Sequence, residues 1–156
     1  MAKENNKTAR LPLPPAILMA IFLIVALLFG WKLPIPVPFP GWMKLVGWAI
    51  SLGGIGIGFS AVRTMEKAHT SPDPDKPTSE IVKQGPYRLS RNPIYLSYVM
   101  FVIGLPLALG YYWGAILAPI VVDAYDRLII AREETYLEHI FGQKYLEYKS
   151  SVRRWL

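Results

Sequence analysis

Three stretches of this chain contain no Asp, Glu, Lys or Arg: residues 11–31, 45–62 and 92–122. Uncharged apolar runs of that length restrict how the chain can fold more than any other feature. A helix rises ~1.5 Å per residue and needs roughly 20 apolar residues to cross ~30 Å of hydrocarbon. The first run meets that requirement, and the second is slightly short but workable. The third would reach about 46 Å as one helix, too long for a single crossing. It carries Gly104-Leu105-Pro106 and then Gly110-Tyr111-Tyr112-Trp113. Helix breakers followed by interfacial aromatics predict a hairpin of two helices. The expected fold is an all-α integral membrane protein with four transmembrane helices, at about 12–31, 42–62, 93–109 and 111–131, the last two a helical hairpin. A cytoplasmic loop over 63–92 and a C-terminal cytoplasmic segment over 132–156 complete a single membrane-embedded domain over 1–156. A cleaved signal peptide competes for the first run, since Lys3, Lys7 and Arg10 precede it. The run is longer than a signal core of ~7–15 residues and no small-x-small site follows, so a retained anchor is favoured.

Charge sets the expected orientation. Of the 17 Lys and Arg, only Lys32 and Lys44 fall on the side opposite both termini in a four-span arrangement. Basic residues stay on the cytoplasmic side, so the N- and C-termini are expected there. The net charge of +6 then reflects topology and attraction to anionic membrane lipids, with no nucleic-acid partner implied. There is no cysteine, which excludes disulfides, thiol catalysis and thiolate metal sites. His69 and His139 are the only histidines and neither has a second ligand at metal spacing, so no metal is expected. Ser90 and Ser97 have no histidine nearby in sequence to make a nucleophilic triad. The run Gly53-Gly54-Ile55-Gly56-Ile57-Gly58 lies inside a span, with no strand before it and no Lys after it, so it is no phosphate loop. Its four-residue spacings predict close helix packing.

Between the spans, residues 32–40 alternate proline with apolar residues and should form a stiff, extended connector. Residues 69–78 are rich in Pro, Asp and Ser and predict ordered turns. Asp123 and Arg127, four apart, are placed to pair along a helix face. Beyond them the pattern is amphipathic. Leu137 and Phe141 share a face, and Tyr145, Tyr148, Val152 and Trp155 step along another, with Gly142 dividing two short cytoplasmic helices.

Two dense polar stretches bracket the third run. The first is Gly85-Pro86-Tyr87-Arg88-Leu89-Ser90-Arg91-Asn92-Pro93-Ile94-Tyr95; the second holds Arg132-Glu133-Glu134 and Phe141-Gly142-Gln143-Lys144-Tyr145-Leu146-Glu147-Tyr148. A hairpin between them brings both to one face of the membrane. Carboxylates and aromatic rings suit a cationic, ribose-bearing cofactor, and arginines suit an anionic group. Composition alone leaves open a basic-aromatic belt that only anchors the protein.

The order and spacing of these residues resemble the isoprenylcysteine carboxyl methyltransferase family and, more broadly, the phospholipid methyltransferases. The shared pattern is Gly85 to Tyr95, an apolar hairpin, then Glu133, Glu134, Leu137, Phe141, Gly142, Tyr145, Tyr148, Val152 and Arg154. The resemblance implies an integral membrane enzyme using S-adenosylmethionine on a lipidic or amphipathic small substrate, either a carboxylate or a phospholipid amine. It implies cofactor contacts at Tyr87, Asn92, Pro93, Tyr95, Glu133, Glu134 and Tyr145. Arg91, Glu134 and Arg132 are the candidate catalytic residues, the arginines for orienting an anionic substrate. Many members carry His where this chain has Asn92, which hydrogen-bonds but does not titrate near neutral pH. A non-enzymatic four-helix membrane protein, either an assembly factor or a permeability element, is the alternative; a nicotinamide-dependent reductase ranks last.

Overall fold

The structure, a computed structural model, describes residues 11–73 and 76–156. The described residues form six α-helical segments and no strand: α1 (Pro15–Lys32), α2 (Gly41–Lys67), α3 (Pro93–Leu109), α4 (Trp113–Tyr125), α5 (Ala131–Phe141) and α6 (Gln143–Ser151). A 3₁₀ turn, Gly85–Arg88, leads into α3, and a π-helical turn, Asp126–Ile130, joins α4 to α5 without a break. By length and composition α1 and α2 could each cross a membrane, and α3 is a shorter apolar helix. Their outward residues are apolar: Ile17, Ile21, Ile24 and Leu28 on α1, and Leu45, Trp48, Leu52, Ile55 and Phe59 on α2. The spacing of three and four puts each set in one exposed stripe.

The helix boundaries depart from the sequence expectation in two places. α2 continues past residue 62 to Lys67, because Arg63, Thr64, Glu66 and Lys67 are polar without breaking a helix. The last long helix does not stop at 131 but runs on through the π turn to Phe141. Pro106 also fails to break α3; it sits inside the helix, and the chain turns only at Gly110, whose φ of 95° suits glycine. Proline leaves the carbonyl of Val102 without its helical donor. The α4 backbone comes close there: a Cβ on Gly114 would lie 2.6 Å from Val102 O.

α3 occupies the centre and touches α1, α2 and α4. Its seam with α2 is built from small residues. Gly47, Ser51, Gly54 and Gly58 meet Ala108, Gly104, Met100 and Ser97, so closely that a methyl group on Gly47 would overlap the α3 backbone. Dispersion between closely apposed backbones is the main attraction available in an apolar medium, which explains the glycine run. Gly56 has open space instead and lies outside this seam.

Apolar residues of α1, α3 and α4 fill the core around Val102, Val121 and Tyr125. The proline-rich connector is held from the hairpin: Tyr112 Oη donates to Pro38 O at 3.0 Å and Trp113 Nε1 to Leu33 O at 2.8 Å. Gly142, with φ of 53°, divides α5 from α6 as its position suggested. α6 ends at Ser151, and Val152 is extended, so Val152 and Trp155 do not continue the helical face of Tyr145 and Tyr148.

Candidate functional site

The two polar stretches meet. Tyr148 Oη donates to Tyr87 O at 2.7 Å, and Arg91 Nη1 lies 3.1 Å from Glu134 Oε1. Between them is a cavity of about 120 Å³, open on one side. Residues 71–73 and 78–81 form one wall, the 3₁₀ turn and the start of α3 a second, and α5 with α6 the third. The two described parts of the first wall are tied where Ser79 N donates to Thr70 Oγ1 at 3.1 Å and Ser79 Oγ to His69 O at 3.0 Å. Asp75, in that segment, lies outside the described residues.

Local chemistry places each group. The 3₁₀ turn begins at Gly85, with φ of 56°, and tucks Tyr87 inward, 8% exposed. Pro93 starts α3, where its missing N–H leaves no bond unmade. Two residues further on, Tyr95 Oη donates to Glu133 Oε1 at 2.5 Å, and its ring stacks on Tyr125 with centroids 5.5 Å apart. Adjacent residues of a regular helix point about 100° apart. Ile129 and Ile130, within the π turn, are both buried, and one turn on, in regular α5, both Glu133 and Glu134 line the cavity. Such turns recur at functional sites.

The two carboxylates have different surroundings. Glu134 is 6% exposed and ringed by cations: Arg154 donates to it at 3.0 and 2.8 Å, Lys149 Nζ lies at 3.4 Å, and Arg91 completes the set. Burial raises its carboxyl, but the Arg154 hydrogen bonds and the charges of Arg91, Arg154 and Lys149 outweigh that and hold it below the usual range. Glu133 has no cation within ion-pair distance among the described residues. Burial pushes it up to about 7; the neighbouring Glu134 charge adds to this, and the Tyr95 hydrogen bond offsets only part of it. Burial likewise lifts the Tyr145 hydroxyl to about 12, against the lowering effect of Arg91 beside it, so it stays neutral.

Arg91 is also incompletely satisfied. Its side chain is 9% exposed, and among the described residues Nε and Nη1 are buried with no acceptor in hydrogen-bond geometry, the Glu134 contact being an ion pair. A buried guanidinium with unmet donors at a cavity wall is a seat for an anionic group.

Not every residue expected at the site lies free within it. Tyr87, Arg91, Pro93, Tyr95, Glu133 and Tyr145 line the cavity together. Asn92 lines it too, but its side-chain Nδ2 donates to Arg154 O at 3.1 Å, alongside Ser90 Oγ at 3.0 Å. Arg91 N donates to Arg153 O at 3.0 Å, so residues 90–92 clasp the chain after α6. Arg132 is exposed on α5 and does not line the cavity; one residue's offset from Glu133 turns it outward. Lys149 and Arg154, which neutralise Glu134, were not assigned roles from the sequence. They lie 15 and 20 residues from it across two helix ends, and no local spacing marks them. Asp126 was missed likewise; it accepts from Arg154 Nη1 at 3.3 Å and Trp155 Nε1 at 3.2 Å, anchoring the tail at the π turn.

A family model described as phospholipid methyltransferase matches residues 42–144, which contain α2, the cavity wall, the hairpin and α5. Among curated proteins, an uncharacterized protein of Haemophilus influenzae is 42% identical over 66 residues, 40% of this chain and 100% of that one. Protein-S-isoprenylcysteine O-methyltransferase A of Arabidopsis thaliana is 35% identical over 72 residues, 46% of this chain and 36% of that protein. Protein-S-isoprenylcysteine O-methyltransferase of Schizosaccharomyces pombe is 29% identical over 72 residues, 46% of this chain and 30% of its own length. The match therefore spans about a third of the two named enzymes. No solved structure matches. With the family pattern running through more than half of the chain and through the cavity itself, the chain belongs to the phospholipid methyltransferase family and takes its methyltransferase class from it.

Proposed function

We propose that this protein is an integral membrane methyltransferase that uses S-adenosylmethionine to methylate a lipidic or amphipathic small molecule at the inner membrane face. The observation that carries the reading is one cavity holding complementary needs among the described residues: the carboxyl of Glu133, with no cation in ion-pair distance, and the guanidinium of Arg91, ion-paired to Glu134 yet with Nε and Nη1 outside hydrogen-bond geometry to any acceptor. The donor carries a sulfonium, an ammonium, a ribose diol and a carboxylate, and this set of groups fits it. Four crossings, by α1, α2, α3 and α4, with both termini cytoplasmic, agree with the exposed apolar stripes and the distribution of Lys and Arg.

When bound, the donor supplies an electrophilic methyl group. Glu133 neutralises positive charge beside it, and Tyr95 holds that carboxyl in place. Arg91 orients an anionic group, and the rings of Tyr87, Tyr145 and Tyr148 wall the cavity against water. Glu134 acts at one remove, holding Arg91 in position. Ligand pockets measure about 300–1,000 Å³, so the cavity, at about 120 Å³, must widen. A carboxylate acceptor is already ionised and needs no base, whereas an amine acceptor must lose a proton. Glu133 is the cavity carboxyl with the basicity to take that proton. A permeability element would need polar groups through the depth of the spans. The buried Ser51 and Ser97 instead hydrogen-bond their own helix backbone.

Calorimetry of S-adenosylmethionine against detergent-purified protein should give saturable binding. Labelled methyl groups should then appear in a fractionated lipid extract. Absence of donor binding in several lipid environments would remove this reading.

A further inference from the structure

Beside the donor cavity lies a second, larger recess of about 750 Å³. The last turn of α2, segment 79–85 and the α5–α6 corner enclose it. It shares Glu80, Ile81 and Val82 with the donor cavity, so these residues form a partition between the two. Lys67, Lys83 and Lys144 line the recess, against a single acid, Glu80. None of the three lysines has a carboxylate within ion-pair distance among the described residues, whereas Arg91, Lys149 and Arg154 all do. Like charges around one concave surface repel unless an anion lies among them.

Depth narrows the choice of anion. α2 has 27 residues and reaches about 40 Å, longer than the ~30 Å hydrocarbon layer. Its last large exposed apolar residue is Phe59, and Arg63 lies over that ring at 4.2 Å, as a cation does at the membrane boundary. The turn carrying Thr64 and Lys67 then stands at headgroup level, and the recess opens there. We infer that the recess seats the phosphate of an anionic membrane lipid's headgroup. Lys83 lies 5.9 Å from the centroid of the Tyr148 ring, which lines the donor cavity, so an occupant of the recess meets the partition and a lysine that borders that ring. The inference rests on the four-crossing arrangement proposed above, but not on donor binding.

The test uses the full chain reconstituted in phosphatidylcholine bilayers doped with spin-labelled lipid. Spin-labelled phosphatidylglycerol should associate at least about fivefold more strongly than spin-labelled phosphatidylcholine, the equivalent of one surface lysine. The combined Lys67→Gln, Lys83→Gln and Lys144→Gln variant should bring that ratio close to one. A matched variant, Arg63→Gln, Arg88→Gln and Arg132→Gln, removes three exposed cations outside the recess and should retain most of the preference. Equal losses in both variants would mean a diffuse basic belt and would overturn the site. Displacement of phosphatidylglycerol by inorganic phosphate, beyond that of chloride at equal ionic strength, would overturn the lipid source in favour of a free phosphate ligand. S-adenosylmethionine calorimetry on the same samples separates this outcome from failure of the methyltransferase reading.

Discussion

At the scale of single residues, the neighbouring glutamates carry opposite predictions. Glu133 holds its proton more tightly when folded than unfolded, since its pKa rises from 4.5 to about 7. That contribution to stability is complete below about 4.5 and is lost as pH rises through about 7. Glu133→Gln should therefore stabilise the protein at pH 8, on the order of 2 kcal/mol, and change little at pH 5, as thermal unfolding in detergent will read. The same substitution should weaken S-adenosylmethionine binding at least about tenfold, because a buried positive charge loses its counter-ion. In the wild type, donor affinity should climb between pH 6 and 8 as Glu133 ionises. Glu134 beside it is held ionised in that window by the Arg154 hydrogen bonds and the charges of Arg91, Arg154 and Lys149. Glu134 has the opposite sign: its depressed pKa stabilises the fold above about 4.5 and is lost as pH falls further. Glu134→Ala leaves Arg91 buried and uncompensated and should cost roughly 3–5 kcal/mol, visible as a lowered melting temperature even without donor. A variant with normal stability but no donor binding would reverse the roles given to the two residues.

At the scale of elements, the α2–α3 seam and the π turn carry the argument. Gly47→Ala places a methyl group against the α3 backbone and should destabilise by about 1–3 kcal/mol. Gly56→Ala meets open space and should be neutral, or stabilise by up to ~1 kcal/mol through helix propensity. Thermal unfolding of the two variants side by side checks both. The π turn is tested by deleting Ile130, which restores a regular helix and rotates everything after it by about 100°. Helical content by circular dichroism should survive, while donor binding by calorimetry should be lost. These features differ in how far the sequence discloses them. The glycine spacing marked α2 as a packing helix, although Gly47 and Gly104, the tightest contacts, lie outside the run that drew attention. Nothing in Asp126–Ile130 announced a π turn, because its driving force is the burial of both Ile129 and Ile130 against a core assembled by other helices.

At the scale of the whole molecule, topology is the open prediction. The chain has no cysteine, so single cysteines can be introduced and labelled without background. Cysteines replacing Lys76 and Lys144 should react with a membrane-impermeant maleimide only from the cytoplasmic side, and one replacing Val37 only from the other. Labelling of Lys76→Cys and Lys144→Cys from opposite sides would dismantle the shared cavity.

Several features followed from the linear order alone. Long uncharged runs force helices that satisfy their own backbone in an apolar medium, and Gly110 turns the third run back on itself. The hairpin then brings residues 85–95 and 132–148 to one end, so the meeting of Tyr87 with Tyr148 and of Arg91 with Glu134 was implicit in the pattern. Tertiary structure alone decided which carboxylate is neutralised and which is left without a cation. That choice depends on Arg154 and Lys149 arriving from a later helix and its tail. Desolvation and charge pairing act through space, and residues separated by 15 or 20 positions and a helix corner leave no periodic trace of such a meeting.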